Sequence, residues 1–410
     1  MARVMLLIPS ASYRAPDFLA AAAKLDVEVV VGSDRRGPLE DLQPAGQVEL
    51  DFADADAGVD QIEAFARRYP IDAIVSVDDA GIRLAARASR RLELPHNPVA
   101  AVEATRDKSL LRRRLAEAGL DSPAFRLLGA GDDRRAVARQ VDYPVVLKPL
   151  SLSGSRGVIR ADDAEAFVGA CARLGAILAD PACAAEAGDL GGFILIEGYV
   201  PGVEVSLEGL LDGGRLRVLA IFDKPDPLEG PYFEETIYVT PSRLAAEDQR
   251  RVAEAAERAA AALGLRDGPL HAELRLNPAG VFPIDIAARS IGGLCSRTLS
   301  FGTGISLEEL ILRHAIGGAV EPPERAAGAA GVMMLPIPRA GTLRSYSGVA
   351  AAEALPLIES VTISMHPGSR VVPLPEGGEY LGFVFSRGDT PAAVEAALRR
   401  AQALLAFEID

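Results

Sequence analysis

Residues 271–290 read HAELRLNPAGVFPIDIAARS, two alternating runs on either side of the turn signal NPAG, and this stretch restricts the possible folds more than any other. Alternation with a period of two makes each run a strand with one buried face, so the segment predicts a β-hairpin. A turn centred on Ala279 puts Glu273 directly opposite Asp285 on one face, about 5 Å apart. His271 and Arg275 share that face with Glu273, and Ala287 and Arg289 share it with Asp285, while Ala272, Leu274, Leu276, Ile284 and Ile286 form the core face. Adjacent carboxylates repel, and burying them without a counter-charge raises one pKa. A divalent metal removes that conflict. Mg²⁺ takes a few carboxylate oxygens and completes its shell with water and phosphate, so this pair, with Arg289 nearby, is a candidate metal and nucleotide-phosphate site. The same pattern also describes a solvated hairpin face.

LKPLSLSGSRGV, from Leu147 to Val158, supplies a second element. Strand patterns flank a Ser- and Gly-rich turn, in which Gly154 and Gly157 let backbone N–H groups approach an anion. Ser153 and Ser155 add hydroxyls, and Lys148 and Arg156 add positive charge. Phosphate is the natural guest, and an ordinary flexible turn is the alternative. In ILIEGYVPGVEVSLEGL an apolar strand stops at Glu197, where the following backbone is placed to read an adenine edge, and Glu204 is placed for ribose hydroxyls. Taken alone, these acids also fit strand-end solvation.

Charge narrows the choice of guest. The 410 residues carry 43 Lys and Arg against 57 Asp and Glu, a net of −14 with no long block of either sign, which disfavours sequence-independent nucleic-acid binding. No apolar run approaches the roughly 18 residues of a membrane span. Met1 to Ser10 reads as a first strand rather than a signal peptide. Three cysteines without CxxC spacing argue against structural zinc or a disulfide framework and fit a reducing cytoplasm.

Strand and helix signals alternate over the first hundred residues, with strands at 4–8, 27–31 and 71–77, which predicts parallel strands and a Rossmann-like domain. PSASYRAP stands after the first strand where a dinucleotide site needs GxGxxG. A helix from Arg106 to Ala118, a helical stretch from Ala161 to Gly192 and a long alanine-rich helix from Ala245 to Leu263 follow. Pro322 and Pro323 mark the last boundary. The fold class is therefore α/β and α+β multi-domain.

Five motifs occur in one order: ATRDKSLLRRRLAEAGLDSPAF, VVLKPLSLSGSRGV, LIEGYVPGVEVSLEGL, HAELRLN and PIDIAARSIGG. Together they resemble the ATP-grasp superfamily over roughly residues 100–320. The resemblance implies a Rossmann-like domain at 1–103, a first ATP-grasp subdomain with the phosphate loop at 104–192, a second with the metal site at 193–322, and a small α+β unit at 323–410. It also implies ATP as cofactor with one or two Mg²⁺, or Mn²⁺ in their place. Lys108 and Lys148 match the lysines that hold phosphates, and Ser153, Gly154, Ser155, Arg156 and Gly157 the mobile loop. Glu197, Tyr199 and Val200 match the adenine linker, Glu204 the ribose acid, Glu273 and Asp285 the metal carboxylates, and Arg289 the arginine that steadies the transferred phosphate. Asp285 is one methylene shorter than the usual glutamate, and Ala287 replaces a frequent asparagine. Arg112 to Arg114 read most simply as a solvated helix face.

IFDKPDPLEGPYFEETIYVTPSRL and the C-terminal GSRVVPLPEGGEYLGFVFSRGDT are similar to the branch of amino-acid ligases that make dipeptides. That likeness implies a cytoplasmic carboxylate–amine ligase working on small molecules, with Lys224 facing the γ-phosphate or acyl phosphate and Glu235 and Tyr238 lining the acceptor side. His271 reads as a structural residue before a general base. Two alternatives are ATP-grasp chemistry on a purine-pathway amine or bicarbonate, and nucleotide binding without turnover. A homodimer is the default assembly.

Overall fold

The computed structural model describes residues 2–10, 12–35, 45–301, 304–318 and 327–410. Its central hairpin pairs Gly268–Asn277 with Gly280–Ala287, and Glu273 does stand opposite Asp285. The route to that pairing differs from the predicted one. Asn277 pairs with Gly280, so the turn is one residue tighter than a turn centred on Ala279, and this offset persists to the pair Leu274–Pro283. A β-bulge between Glu273 and Leu274 then inserts Ile284 and restores the partnership. Ile284 consequently leaves the core face and lines the main cavity, while Val281 joins Ala272, Leu274 and Ile286 in the core.

This hairpin forms one edge of an eight-stranded antiparallel sheet. Next to it come Val203–Asp212, Arg215–Asp223, Ile237–Thr240, Ala329–Leu335, Gly382–Gly388 and, at the far edge, Ile358–Ile363. Along Val203–Asp212 the side chains alternate: Val205 and Leu207 enter the core, and Glu204, Ser206 and Glu208 occupy the other face. The long helix Ala246–Leu263 covers the core face with Val252, Ala256, Ala259, Ala260 and Leu263, and its small residues permit close approach. Gly264 ends it in the left-handed conformation that caps helices.

A second, four-stranded antiparallel sheet comprises Phe125–Gly129, Phe193–Gly198, Val145–Pro149 and Ile159–Ala161 in that order, backed by the helix Ala164–Leu178. The N-terminal sheet is entirely parallel, with Arg3–Leu7 between Glu28–Ser33 and Ala73–Ser76 and Gln47–Glu49 at the edge, as the alternation predicts. Val4, Leu6 and Phe18 from this region share a core with Phe222, Leu310, Met334 and Phe383, so it packs on the large sheet. Among the described residues no single helix is long and apolar enough to cross a membrane, and all three cysteines are buried and unpaired.

The helix expected at Arg106 to Ala118 is Lys108–Glu117, started by Asp107, which accepts from the N–H groups of Ser109 and Leu110, and a separate helix, Val99–Arg106, precedes it. Within the C-terminal α+β unit, Ala329–Leu335 pairs with Ile237–Thr240 and continues the large sheet. The boundary at Pro322 lies outside the described residues.

Gly157 closes the Ser- and Gly-rich turn at φ +70°, where an added Cβ would meet Leu174 Cδ1 at 2.6 Å. Gly119 has φ +65° with nothing within 4 Å. Gly119→Ala should therefore cost about 1 kcal/mol from backbone strain alone, and Gly157→Ala about 1–3 kcal/mol more from overpacking. Urea unfolding of both variants checks this, and equal losses would contradict the packing account.

Candidate active site

The two sheets face each other across a cavity of about 540 Å³. Lys148, Glu197 and the loop at Ser153–Arg156 contribute from the small sheet, and Glu204, Glu273 and Asp285 from the large one. Lys108, Tyr199, Val200 and Arg289 also line it. Of the sequence-predicted residues only Gly157 and Lys224 lie behind the wall. The loop holds its open curve through left-handed Gly154, Ser155 and Gly157. Arg156 is engaged there, donating to Ser153 O and pairing with Glu186 at 2.5 Å.

Lys148 is buried and its Nζ lies 2.7 Å from Glu197 Oε2. Glu197 Oε1 accepts from Arg112 Nε at 2.6 Å. Burial alone would raise the Glu197 pKa, but the two cations outweigh it and hold the carboxyl down at about 2. The carboxylate of Glu197 is thus committed to cations, and only the backbone beyond it is left to meet a base. Arg112 corrects the solvated-face reading: it is wholly buried, whereas Arg113 and Arg114 are exposed. Helical spacing does not reveal this, because a buried arginine looks like its solvated neighbours.

Lys224 also differs from expectation. Instead of facing the cavity it sits under the acids, with Nζ 2.8 Å from Glu204, 3.5 Å from Glu273, in close contact with Glu235 and 5.2 Å from the Tyr238 ring centre. Glu204, Glu235 and Glu273 present oxygens within 4.8 Å of one another. Burial pushes the Glu235 carboxyl up to about 7, with Lys224 opposing and Glu273 adding to the rise. Glu204 also accepts from Arg275 at 2.6 Å, so its carboxylate is already shared by two cations. Arg275 bonds Val200 O and stacks on Tyr199, whose other neighbour is Arg160 at 4.2 Å. Asp285 stands apart from this acidic cluster and faces Lys108 Nζ at 3.6 Å.

The carboxylate set suits Mg²⁺, a hard cation that takes oxygen ligands. Glu273 and Asp285 are cross-strand partners at the cavity wall, and the buried hydroxyl of Ser206, which pairs with Glu273 across the ladder, has no hydrogen-bond partner. Glu273 and Asp285 can hold the ion, with Glu204 and Glu235 adjoining on the Glu273 side.

Arg289 donates to Asp79 Oδ2 at 2.8 Å, and Asp79 also pairs with Arg106 at 3.3 Å. Asp79 was not among the sequence candidates. Its signal is topological: it follows the parallel strand Ala73–Ser76, and ligands of open α/β sheets gather beyond such carboxyl ends. His271 Nδ1 contacts Glu208, whose other oxygen accepts from the Ile291 N–H at 2.9 Å, and Nε2 lies 3.5 Å from Glu273. Burial opposes a charge on this ring, but Glu208 and Glu273 prevail and raise its pKa to about 9. Such a proton is tightly held, consistent with a structural role.

Two sheets closing on a cavity lined by lysines and carboxylates define a nucleotide-grasping enzyme fold. Residues 141–298 match the ATP-grasp domain family, 19–96 the ATP-grasp N-terminal domain family and 333–410 the L-amino acid ligase C-terminal domain 2 family. The chain thus carries ATP-grasp domains followed by an L-amino acid ligase C-terminal domain. It is 24% identical to the protein y4rH of Sinorhizobium fredii over 98% of its own length and 82% of the relative's. It is 30% identical to the alanine–anticapsin ligase of Bacillus subtilis strain 168 over 62% of its length, spanning 56% of that ligase. The crystal structure of L-amino acid ligase from Bacillus licheniformis superposes with a TM-score of 0.81 at 24% identity, covering 100% of this chain and 99% of that one.

The charge on His271 makes a direct prediction. With only 4 histidines in the chain, ring resonances are separable by NMR. The His271 signal should titrate near 9, and in Glu208→Gln, where Glu273 alone is left to oppose burial, it should fall. Because the folded pKa is raised, this contribution to stability is complete below about 6.5 and lost as pH rises through about 9. The stability gap between wild type and Glu208→Gln should therefore narrow over that window in urea titrations.

Proposed function

We propose that the protein is an ATP- and Mg²⁺-dependent ligase that activates a carboxylate as an acyl phosphate and joins it to an amine, with an amino acid as the amine. The observation that carries this reading is the single cavity in which Lys108, Lys148, Arg289, Glu273 and Asp285 face one another from two sheets. The names of the relatives, an alanine–anticapsin ligase and an L-amino acid ligase, support the same class.

Lys108 and Lys148 hold the ATP phosphates, the Ser153–Gly157 loop covers them, and Tyr199 and Val200 flank the base, with Glu204 beside the sugar. Bound at Glu273 and Asp285, Mg²⁺ supplies charge neutralisation on the phosphates. Arg289 is oriented by Asp79 and steadies the phosphoryl group in transfer. A carboxylate oxygen attacks the γ-phosphorus, and the bond from phosphorus to the ADP oxygen breaks. The amine then attacks the acyl carbon and phosphate leaves. Carboxylate oxygen is a poor leaving group, and phosphorylation makes it a good one. Lys224 offsets Glu204, Glu235 and Glu273 so that the acidic wall tolerates an approaching polyanion. Closing the loop keeps water from the acyl phosphate. We assign the substrates as small molecules, the four segments at 1–103, 104–192, 193–322 and 323–410 as the working domains, and the cytoplasm as the compartment, in keeping with three free buried cysteines.

ADP release measured across a matrix of amino acids, phosphoribosylamine and bicarbonate, with products weighed by mass spectrometry, tests the reading. Dipeptide with stoichiometric ADP is expected, and turnover only with bicarbonate or phosphoribosylamine would replace it. Lys224→Met should lower kcat by about 100-fold or more, since three acids lose their shared cation beside the reacting phosphate. Cys295 lines the cavity but burial pushes its thiol well up, so Cys295→Ala should turn over like wild type. Loss of turnover in a folded Cys295→Ala enzyme would revive a covalent mechanism.

A further inference from the structure

We infer that Arg112, outside every functional role assigned above, is a positioning residue that sets the metal carboxylate and the phosphate lysine through one guanidinium. The inference rests on the nucleotide and magnesium reading of the site.

Its geometry is unusual for a helix residue with two exposed arginine neighbours. Arg112 lies on the helix Lys108–Glu117 and is fully buried. Nε donates to Glu197 Oε1 at 2.6 Å, one terminal nitrogen to Pro283 O at 3.0 Å and the other to Ile284 O at 2.5 Å. These carbonyls belong to the edge strand of the large sheet, at the bulge that inserts Ile284 before Asp285. Edge-strand carbonyls on the outward side have no ladder partner, and a buried carbonyl needs a donor. Arg112 supplies two.

The bulge decides which way Asp285 points. Without the inserted residue the hairpin would continue at the offset seen from Asn277–Gly280 to Leu274–Pro283, and Ile284 would stand opposite Glu273. Asp285 would then turn to the core face, because a one-residue shift reverses every side chain. By fastening Pro283 and Ile284, Arg112 keeps Asp285 beside Glu273. Through Glu197 the same side chain fixes Lys148, which lies 2.7 Å from the other carboxylate oxygen. The two sheets are thus referenced to one group, and the two halves of its task are separable.

Arg112→Lys separates them. A lysine ammonium can reach Glu197 but cannot fork to two carbonyls as well. Isothermal titration of ADP in EDTA reports the lysine half, and the factor by which Mg²⁺ tightens ADP reports the carboxylate half. Arg112→Lys should bind ADP in EDTA about as well as wild type, with the Mg²⁺ factor reduced about tenfold. Glu197→Gln should do the reverse, weakening ADP in EDTA about tenfold with the Mg²⁺ factor unchanged, because the bulge stays fastened. Arg112→Met should lose both. A merely structural role for Arg112 would lower stability without splitting these readouts. An Mg²⁺ factor that survives Arg112→Lys, or that falls equally in Glu197→Gln, overturns the inference alone. A wild-type protein that gains nothing from Mg²⁺ overturns the metal reading and this inference with it.

Discussion

The buried contact of Glu197 with Arg112 and Lys148 ties together the two sheets that flank the cavity. Moving three charged groups out of water is costly, and such clusters seldom add net stability over well-packed apolar residues. Its value here is geometric. Glu197 ends a strand of the small sheet, Lys148 sits on the neighbouring strand, and Arg112 reaches the edge of the large sheet. One carboxylate therefore fixes the Lys148 ammonium relative to the Glu273–Asp285 hairpin in another sheet. Apolar packing could hold the sheets together, but it would not fix the position of an ammonium to a few tenths of an ångström.

The same pairing logic recurs around the cavity of this acidic chain. Lys224 answers Glu204, Glu235 and Glu273, Asp79 answers Arg289 and Arg106, and Glu208 answers His271. Each of these ions has its partner before any ligand arrives. Net charge describes the outer field of the protein, whereas these short pairs set the local one.

Period-two alternation made the hairpin and the acidic face of Val203–Asp212 legible in the sequence, and the motif order made the cavity legible. Residues whose role depends on which element passes behind them were not. Arg112 has the same sequence context as Arg113 and Arg114 and differs only because the hairpin edge crosses it. Lys224 follows a strand, and its burial depends on three acids from three other segments. The Glu273–Asp285 partnership was inferred from a symmetric turn, but it arises from a tighter turn compensated by a bulge. Sequence parity gave the partner. Three-dimensional packing gave the bulge its reason, through the guanidinium that satisfies it.

The position of the C-terminal segment follows from the same economy of contacts. Ala329–Leu335 and Gly382–Gly388 extend the large sheet, which carries the loop before Gly382 over the cavity. There Pro375 O accepts from the Gly157 N–H at 2.8 Å, and Gly378 packs on Arg156. Below, Arg173 on the small-sheet helix forks onto Glu376 at 2.5 and 2.8 Å. The Ser- and Gly-rich loop is therefore held from the far side by the C-terminal segment and from the near side by its own strands. The Pro375 and Glu376 contacts thus tie the C-terminal segment to the small sheet, and any displacement of one from the other has to break them.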